Sequence, residues 1–160
     1  MPVTVRCSVR RIPLRRAEIE RLAQRILGAT GEAQADVSLS FIGDASMRRL
    51  NRQYRRKDAT TDVLAFPMRH IRTRFTPHAS RFTSSMLGDV VISLPQAARQ
   101  ARARGLPLHH ELATLLIHGM LHLFGYDHER NSREAQRMQR KERAVLRAVS
   151  PVPALVKLRG

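Results

Sequence analysis

The chain has 160 residues, of which 42% are hydrophobic, and its formal net charge at pH 7 is +16. This length suits one compact domain with a sizeable core and argues against a second domain. The positive charge predicts a polyanionic partner, most simply a nucleic acid. An arginine-rich proteome would also produce part of this charge, because only three of the 29 basic residues are lysines.

The sequence contains no sign of secretion or membrane insertion. A single cysteine, Cys7, excludes an internal disulfide. The N-terminal residues lack the apolar core and small-residue cleavage site of a secretory signal. No apolar stretch reaches the roughly 20 residues that a transmembrane helix needs. We therefore expect a cytoplasmic protein that does not bind membranes.

The first third of the chain predicts alternating strands and helices. Valine and cysteine alternate with polar residues over residues 3–9, which is typical of a half-buried strand. Apolar residues at helical spacing predict a helix over residues 14–27. A second alternating run predicts a strand over residues 37–42, and Asp44 is a suitable N-cap for a helix over residues 45–54.

Two further strands are predicted on either side of a basic segment. The strands span residues 62–66 and 88–94, the second with consecutive apolar β-formers. Residues 69–86 between them contain several arginines and no acidic residue, so we expect a mobile loop. This loop is either a flap that contacts RNA or simply an arginine-rich disordered segment.

The remainder of the chain predicts three helices and a tail. The helices cover residues 95–104, an almost entirely apolar stretch at 112–124, and an amphipathic stretch at 132–149. We expect a single domain over residues 1–150, followed by a frayed tail over residues 151–160. The order of elements predicts an α+β fold, with one mixed sheet of about four strands packed against about five helices.

Three of the seven histidines lie within eleven residues, in the string HGMLHLFGYDH. His118 and His122 are four residues apart, so on a helix their imidazoles project from one face, one turn apart. Gly125 can adopt the left-handed conformation that ends a helix, and the resulting turn would bring His128 back towards the other two.

Three imidazoles in this arrangement predict a catalytic zinc site, with a fourth position free for water or substrate. The spacing H-x-x-x-H-x-x-G-x-x-H matches the zinc site of the metzincin peptidases. We therefore expect one zinc ion per chain, bound by His118 and His122 of a central buried helix and by His128 after it, although nickel and copper also suit such ligands. The simpler alternative is a core helix with two satisfied histidines, but it leaves Gly125 and His128 without a role.

Gly119 departs from the peptidase pattern. A zinc peptidase with the motif H-E-x-x-H has a glutamate at this position, which acts as the general base. Glycine has no group that accepts a proton from metal-bound water. The sequence therefore argues against peptide hydrolysis by the usual route.

The whole histidine string closely resembles the signature of the YbeY family, bacterial metal-dependent endoribonucleases that act in ribosomal RNA maturation. Residues 51–67, NRQYRRKDATTDVLAFP, resemble the family segment N-x-x-Y-R-x-K-D-x-P-T-D-V-L-S-F-P. Residues 87–93, LGDVVIS, resemble its strand G-D-I-V-I-S. Thr60 replaces the usual proline and Ala65 the usual serine, changes that affect the local turn and strand but not the histidines.

The resemblance implies a single-strand-specific endoribonuclease that acts in small-subunit ribosomal RNA processing and ribosome quality control. Its implied partners are ribosomal RNA, the small ribosomal subunit and assembly factors such as an Era-type GTPase. Two other functions remain open. One is a zinc-dependent peptidase, which Gly119 disfavours, and the other is a non-catalytic RNA-binding assembly factor in which zinc only stabilises the fold.

Two more residues have candidate roles, Arg55 from the resemblance and Asp127 from its position. Arg55 falls on the arginine of the family's Y-R-x-K-D segment, and a guanidinium near the metal would bind the substrate phosphate or the charge that develops on it. Asp127 precedes a predicted ligand and either orients an imidazole or caps the turn, and we favour the turn cap.

Overall fold

The computed structural model describes residues 3–68, 86–129 and 131–157. Within these ranges it contains four strands and five helices. The strands are β1 (Val3–Cys7), β2 (Asp36–Ile42), β3 (Val63–Pro67) and β4 (Met86–Ser93). The helices are α1 (Arg16–Ala29), α2 (Asp44–Arg55), α3 (Leu94–Arg104), α4 (Leu108–Leu123) and α5 (Ser132–Val149).

The four strands form one mixed sheet in the order β1-β2-β4-β3. β1, β2 and β4 are parallel, because a helix lies between successive members of the set, whereas β3 pairs with β4 in the antiparallel direction. β3 is an edge strand because it comes last in the strand order. The predicted α+β fold, with a mixed sheet of about four strands and about five helices, is confirmed.

Helix α4 is apolar over most of its circumference because it packs on several sides. Ten of its 16 residues are buried, and the helix contacts β3, β4, α3 and α5. Its only buried charge, Glu111, is paired with Arg104 at 3.2 Å and accepts a hydrogen bond from Gln100 at 2.9 Å. These pairings satisfy a carboxylate that would otherwise be costly to bury.

The prediction that Asp44 is the N-cap of α2 is wrong. The N-cap is Gly43, and no side chain caps this end of the helix. Asp44 is instead the first helical residue, and its carboxylate accepts hydrogen bonds from Arg99 at 2.8 and 3.0 Å, Ser93 at 3.0 Å and Thr60 at 3.1 Å. Asp44 thus connects α2 to α3 and to the end of β4.

The hydrogen bonds from Arg99 hold the pKa of Asp44 below its usual value of 3.8. We expect Asp44→Asn to lower the free energy of unfolding at pH 7 by about 1 kcal/mol, because the pair with Arg99 is partly exposed. The pKa of Asp44 is lower in the folded protein than its unfolded-state value of 3.8, so the ionised carboxylate stabilises the fold at pH values above 3.8. This stabilisation disappears as the pH falls through the folded-state pKa. Urea unfolding at several pH values checks this, since the difference between the two proteins should shrink only below about pH 4.

Glu20→Gln is the control for the Asp44 experiment. Glu20 is a half-buried residue of α1 and has no ion pair within the described ranges. We expect this variant to leave the pH dependence unchanged. A difference between the Asp44→Asn variant and the unaltered protein that stays constant down to pH 3 would contradict the role assigned to Asp44.

The C-terminal tail is more ordered than its prolines suggest. Leu155 is fully buried, its carbonyl accepts a hydrogen bond from the Arg15 amide at 2.8 Å, and the Lys157 amide donates to the carbonyl of Pro13 at 2.8 Å. The expected fraying therefore does not hold for residues 155–157, because they pair with the segment before α1. Residues 158–160 lie outside the described part of the chain.

The predicted basic loop over residues 69–86 falls mainly on residues 69–85, which lie outside the described ranges. Its last residue, Met86, belongs to β4 rather than to a loop. Among the helices of the described residues, none is both long and apolar enough to cross a membrane.

Candidate active site

The structure brings the three predicted histidines together. His118 and His122 lie one turn apart on α4, with their Nε2 atoms 3.2 Å from each other. The ring centroid of His128 lies 5.0 Å from that of His118 and 5.1 Å from that of His122. One nitrogen from each ring lies within 4.8 Å of the other two, so the cluster can hold a metal ion.

Gly125 closes α4 and directs the chain back towards the cluster. Its φ angle is +98°, a left-handed conformation that strains residues with a side chain. The amides of Gly125 and Tyr126 donate to the carbonyls of His122 and Leu121, both at 3.1 Å, and so satisfy the end of the helix. The turn places His128 beside the two helical histidines, as its spacing predicted.

The three imidazoles are a suitable donor set for a catalytic metal. Burial lowers the pKa of His122 below its usual 6.5, and electrostatic interaction with the imidazoles of His118 and His128 lowers it further. His122 is therefore neutral near pH 7, with a lone pair available for a metal. Three nitrogen ligands with a side open to solvent leave room for water or substrate, as catalytic zinc sites do.

The histidines lie in a cleft of about 650 Å³ between the end of α4 and the edge strand β3. Val63, Ala65 and Pro67 of β3 form the opposite wall. Asp62, just before β3, also lines the cleft and accepts hydrogen bonds from the Val63 amide at 2.8 Å and from Gln100 at 3.3 Å. Gln100 of α3 also donates to Glu111, so it connects the residue before β3 with the first turn of α4.

Arg55 lines the same cleft, so the arginine singled out from the sequence is close to the histidines. Its guanidinium donates to Oε1 of Glu129 at 2.9 Å. The Glu129 carboxylate also lies 3.9 Å from Nε2 of His128. Glu129 thus lies between Arg55 and the cluster. This arrangement was not predicted from the sequence, because it depends on a contact between positions 74 residues apart.

Asp127 caps the turn. Its Oδ1 accepts a hydrogen bond from the Glu129 amide at 2.9 Å. This contact fits the turn-capping role that we favoured for Asp127. The carboxylate also acts on the cluster through its charge, which raises the pKa of His122 and partly offsets the effects of burial and of the other two histidines.

Glu142 of α5 also contacts the histidine cluster. Its Oε1 lies 2.8 Å from Nδ1 of His118. Glu142 was not among the residues predicted from the sequence. The available signal was a carboxylate on the apolar side of an amphipathic helix, four residues after Met138 and three before Val145.

Packing explains why residue 119 is glycine. A Cβ atom there would lie 2.6 Å from Cγ1 of Val90 and 3.2 Å from Cγ2 of Val63. Helix α4 therefore lies so close to β3 and β4 that no side chain fits between them. The glutamate of a zinc peptidase is sterically excluded from this position as well as absent from it.

Comparison with known proteins supports the resemblance seen in the sequence. A family model described as Endoribonuclease YbeY matches residues 4–150. Relatives named endoribonuclease YbeY include one from an Anaeromyxobacter species, 44% identical over 99% of this chain and 78% of its own length. Another, from Geobacter metallireducens, is 39% identical over 91% of this chain and 93% of its own length.

The fold has a counterpart among solved structures. The solution structure of TM1509 from Thermotoga maritima superposes with a TM-score of 0.62 at 23% identity, over 92% of this chain and 88% of that protein. At this identity the likeness concerns the fold alone. Taken with the family match and the extent of the sequence identity, the comparisons show that the chain belongs to the YbeY family of endoribonucleases.

Proposed function

We propose that this protein is a zinc-dependent endoribonuclease that cleaves single-stranded RNA, in the processing of small-subunit ribosomal RNA and in ribosome quality control. The observation that carries the proposal is the cluster of His118, His122 and His128 in a cleft that also contains Arg55. Family membership supports the RNA-cleaving activity, and the net charge of +16 supports a polyanionic substrate.

The three histidines are the proposed metal ligands, and they come from two parts of the fold. His118 and His122 are held by α4, whereas His128 is held by the turn that Gly125 and Asp127 shape. A zinc ion bound there would polarise a phosphodiester oxygen and lower the pKa of a bound water to about 7, which supplies hydroxide without a glutamate base.

Arg55 is the proposed phosphate-binding residue. A guanidinium binds phosphate through charge-assisted hydrogen bonds, which are stronger than neutral ones. The guanidinium of Arg55 donates a hydrogen bond to the Glu129 carboxylate. A phosphodiester bound beside the histidines would either use other N–H donors of Arg55 or displace the Glu129 carboxylate.

The proposed partners follow from the same assignment. They are ribosomal RNA and the small ribosomal subunit, together with assembly factors such as an Era-type GTPase, and the proposed location is the cytoplasm. The exposed arginines of α2 and α5 are consistent with contact to a long RNA, since such contacts are made mainly to phosphates.

The activity is tested with chelated and zinc-restored protein on matched single-stranded and double-stranded ribosomal RNA fragments. We expect cleavage of the single strand only, its loss after chelation, and its recovery with about one zinc per chain by elemental analysis. Cleavage that survives complete removal of metal would contradict the proposed metal dependence. Equal cleavage of both RNA forms would contradict the strand preference.

Removing the guanidinium should slow cleavage without removing the metal. We expect Arg55→Ala to lower kcat/KM about 100-fold to 1,000-fold, the usual loss when one group that stabilises developing charge is removed. Arg55→Lys should recover part of the rate, because lysine keeps the charge but not the fork of donors. Single-turnover cleavage and zinc content measure the two effects separately.

Arg49→Ala is the matched control for Arg55. Arg49 lies on the same helix, is exposed, and donates to the Ser46 hydroxyl at 3.1 Å rather than to a cleft residue. This variant should cleave RNA at close to the unaltered rate. An equal loss in both variants would mean that the helix contributes only general positive charge, and that Arg55 has no specific role.

A further inference from the structure

The apolar face of α5 includes one carboxylate. Met138, Val145 and Val149 are buried on this face, and Glu142 lies between them at helical spacing, with its side chain only 25% exposed. A carboxylate that is largely removed from water is costly unless it has a partner. We therefore expect the Glu142 carboxylate to contact a specific group on the neighbouring helix.

That contact is with His118. Oε1 of Glu142 lies 2.8 Å from Nδ1 of His118, within the range of a charge-assisted hydrogen bond. Across the described residues, Glu142 has no arginine or lysine within ion-pair distance. The imidazole, itself 26% exposed, is thus the group that satisfies the carboxylate.

The contact determines which nitrogen of His118 faces the cluster. An imidazole has two distinct nitrogens, and in its neutral form one carries a proton while the other has a lone pair. Because a carboxylate only accepts hydrogen bonds, Nδ1 of His118 is the donor in this contact. Nε2 then carries the lone pair, and it lies 3.2 Å from Nε2 of His122, on the side where the three histidines meet.

We propose that Glu142 is a positioning residue for the metal site: it fixes the tautomer and ring orientation of His118 so that Nε2 is presented as a ligand. The inference rests on the metal site of the proposed function. Histidine ligands commonly donate their second nitrogen to a carboxylate, and loss of that partner typically weakens metal binding 10-fold to 100-fold. Helix α5 accordingly has a role in the metal centre besides covering α4.

The test compares zinc affinity of the full-length protein with that of Glu142→Ala and Glu142→Gln variants. Metal is first removed with a chelator, and zinc binding is then measured by competition with a chromophoric chelator. We expect Glu142→Ala to bind zinc about 10-fold to 100-fold more weakly. Glu142→Gln should lose less, because its amide oxygen still accepts from Nδ1. The visible spectrum of the cobalt-substituted protein should shift in both variants, since the orientation of a ligand ring changes.

Glu134→Gln is the matched control. Glu134 lies on the same helix, its side chain is also 25% exposed, and its ion-pair partner at 3.9 Å is Arg137 rather than a histidine. We expect its zinc affinity to match that of the unaltered protein. Circular dichroism of the metal-free proteins checks that each variant is folded. If Glu142→Ala does not fold, the isosteric Glu142→Gln variant decides the result.

Each outcome separates this inference from the proposed function. Unchanged zinc affinity in the Glu142 variants, or an equal loss in Glu134→Gln, overturns the positioning role while leaving the metal site in place. Failure of the unaltered protein to bind zinc overturns both the metal site and the role of Glu142. Tight zinc binding that depends on Glu142, without RNA cleavage, supports the positioning role and counts against the proposed nuclease mechanism alone.

Discussion

Replacement of His122 with alanine is expected to abolish RNA cleavage while leaving the protein folded. The substitution removes one of three proposed metal ligands, and the stabilisation that a metal provides is worth several kcal/mol, or about a thousand-fold in rate. The imidazole projects into the cleft rather than into the apolar core, so its loss should leave the packing of α4 intact. Elemental analysis, circular dichroism and single-turnover cleavage measure the metal, the fold and the activity in one preparation.

His109→Ala provides the control for His122. His109 lies in the first turn of the same helix, more than two turns before His122. We expect it to retain zinc and activity. Unfolding of His122→Ala after loss of metal would favour the assembly factor with a structural zinc. Full metal content and full activity in His122→Ala would remove this residue from the site.

The second large effect is expected for Gly119→Glu, which creates the H-E-x-x-H motif of zinc peptidases. We expect this variant to be severely destabilised and inactive on casein. The new Cβ would lie 2.6 Å from a methyl group of Val90, and the carboxylate would have to enter the interface between α4 and the sheet. Overpacking alone costs about 1–3 kcal/mol, and burial of an unpaired charge adds several more, which together approach the total stability of a small domain.

Gly119→Ala isolates the packing effect. Alanine gains about 1 kcal/mol in helix propensity over glycine, but the overpacking cost of about 1–3 kcal/mol should outweigh that gain. The matched control is Gly28→Ala in α1, where a Cβ would meet no atom within 4 Å, so the propensity gain should appear alone. Thermal and urea unfolding measure the three variants. A stable Gly119→Glu protein that cleaves casein in a chelator-sensitive manner would reinstate the peptidase hypothesis.

Local spacing was sufficient to predict the histidine cluster. The separation of His118 and His122 corresponds to one helical turn, and Gly125 supplies a conformation that few other residues adopt. Such relationships involve neighbouring residues, so the periodicity of the helix and the conformational range of glycine determine them. The order of strands and helices was predictable for the same reason, since each element has its own hydrophobic period.

Capping and the C-terminal tail were harder to predict because long-range partners compete with local preferences. Asp44 has the chemistry of an N-cap, yet it bonds to Arg99, which is 55 residues away in the sequence. The prolines after α5 end the helix as expected, but Leu155 is then buried and residues 155–157 pair with the segment before α1. Burial of one apolar side chain and the backbone hydrogen bonds to Pro13 and Arg15 offset the entropy of ordering this tail.

The sequence by itself determined the type of site: three imidazoles on a helix and a turn, with no glutamate beside the first histidine. Only the tertiary structure decided what surrounds them. Glu142 contacts His118 because α5 packs against α4, Glu129 meets Arg55 because the turn after α4 lies near the end of α2, and Gly119 is required because α4 lies directly on the sheet. The physical reason is that these contacts join residues distant in the chain, and the packing of helices and strands around one core brings them together.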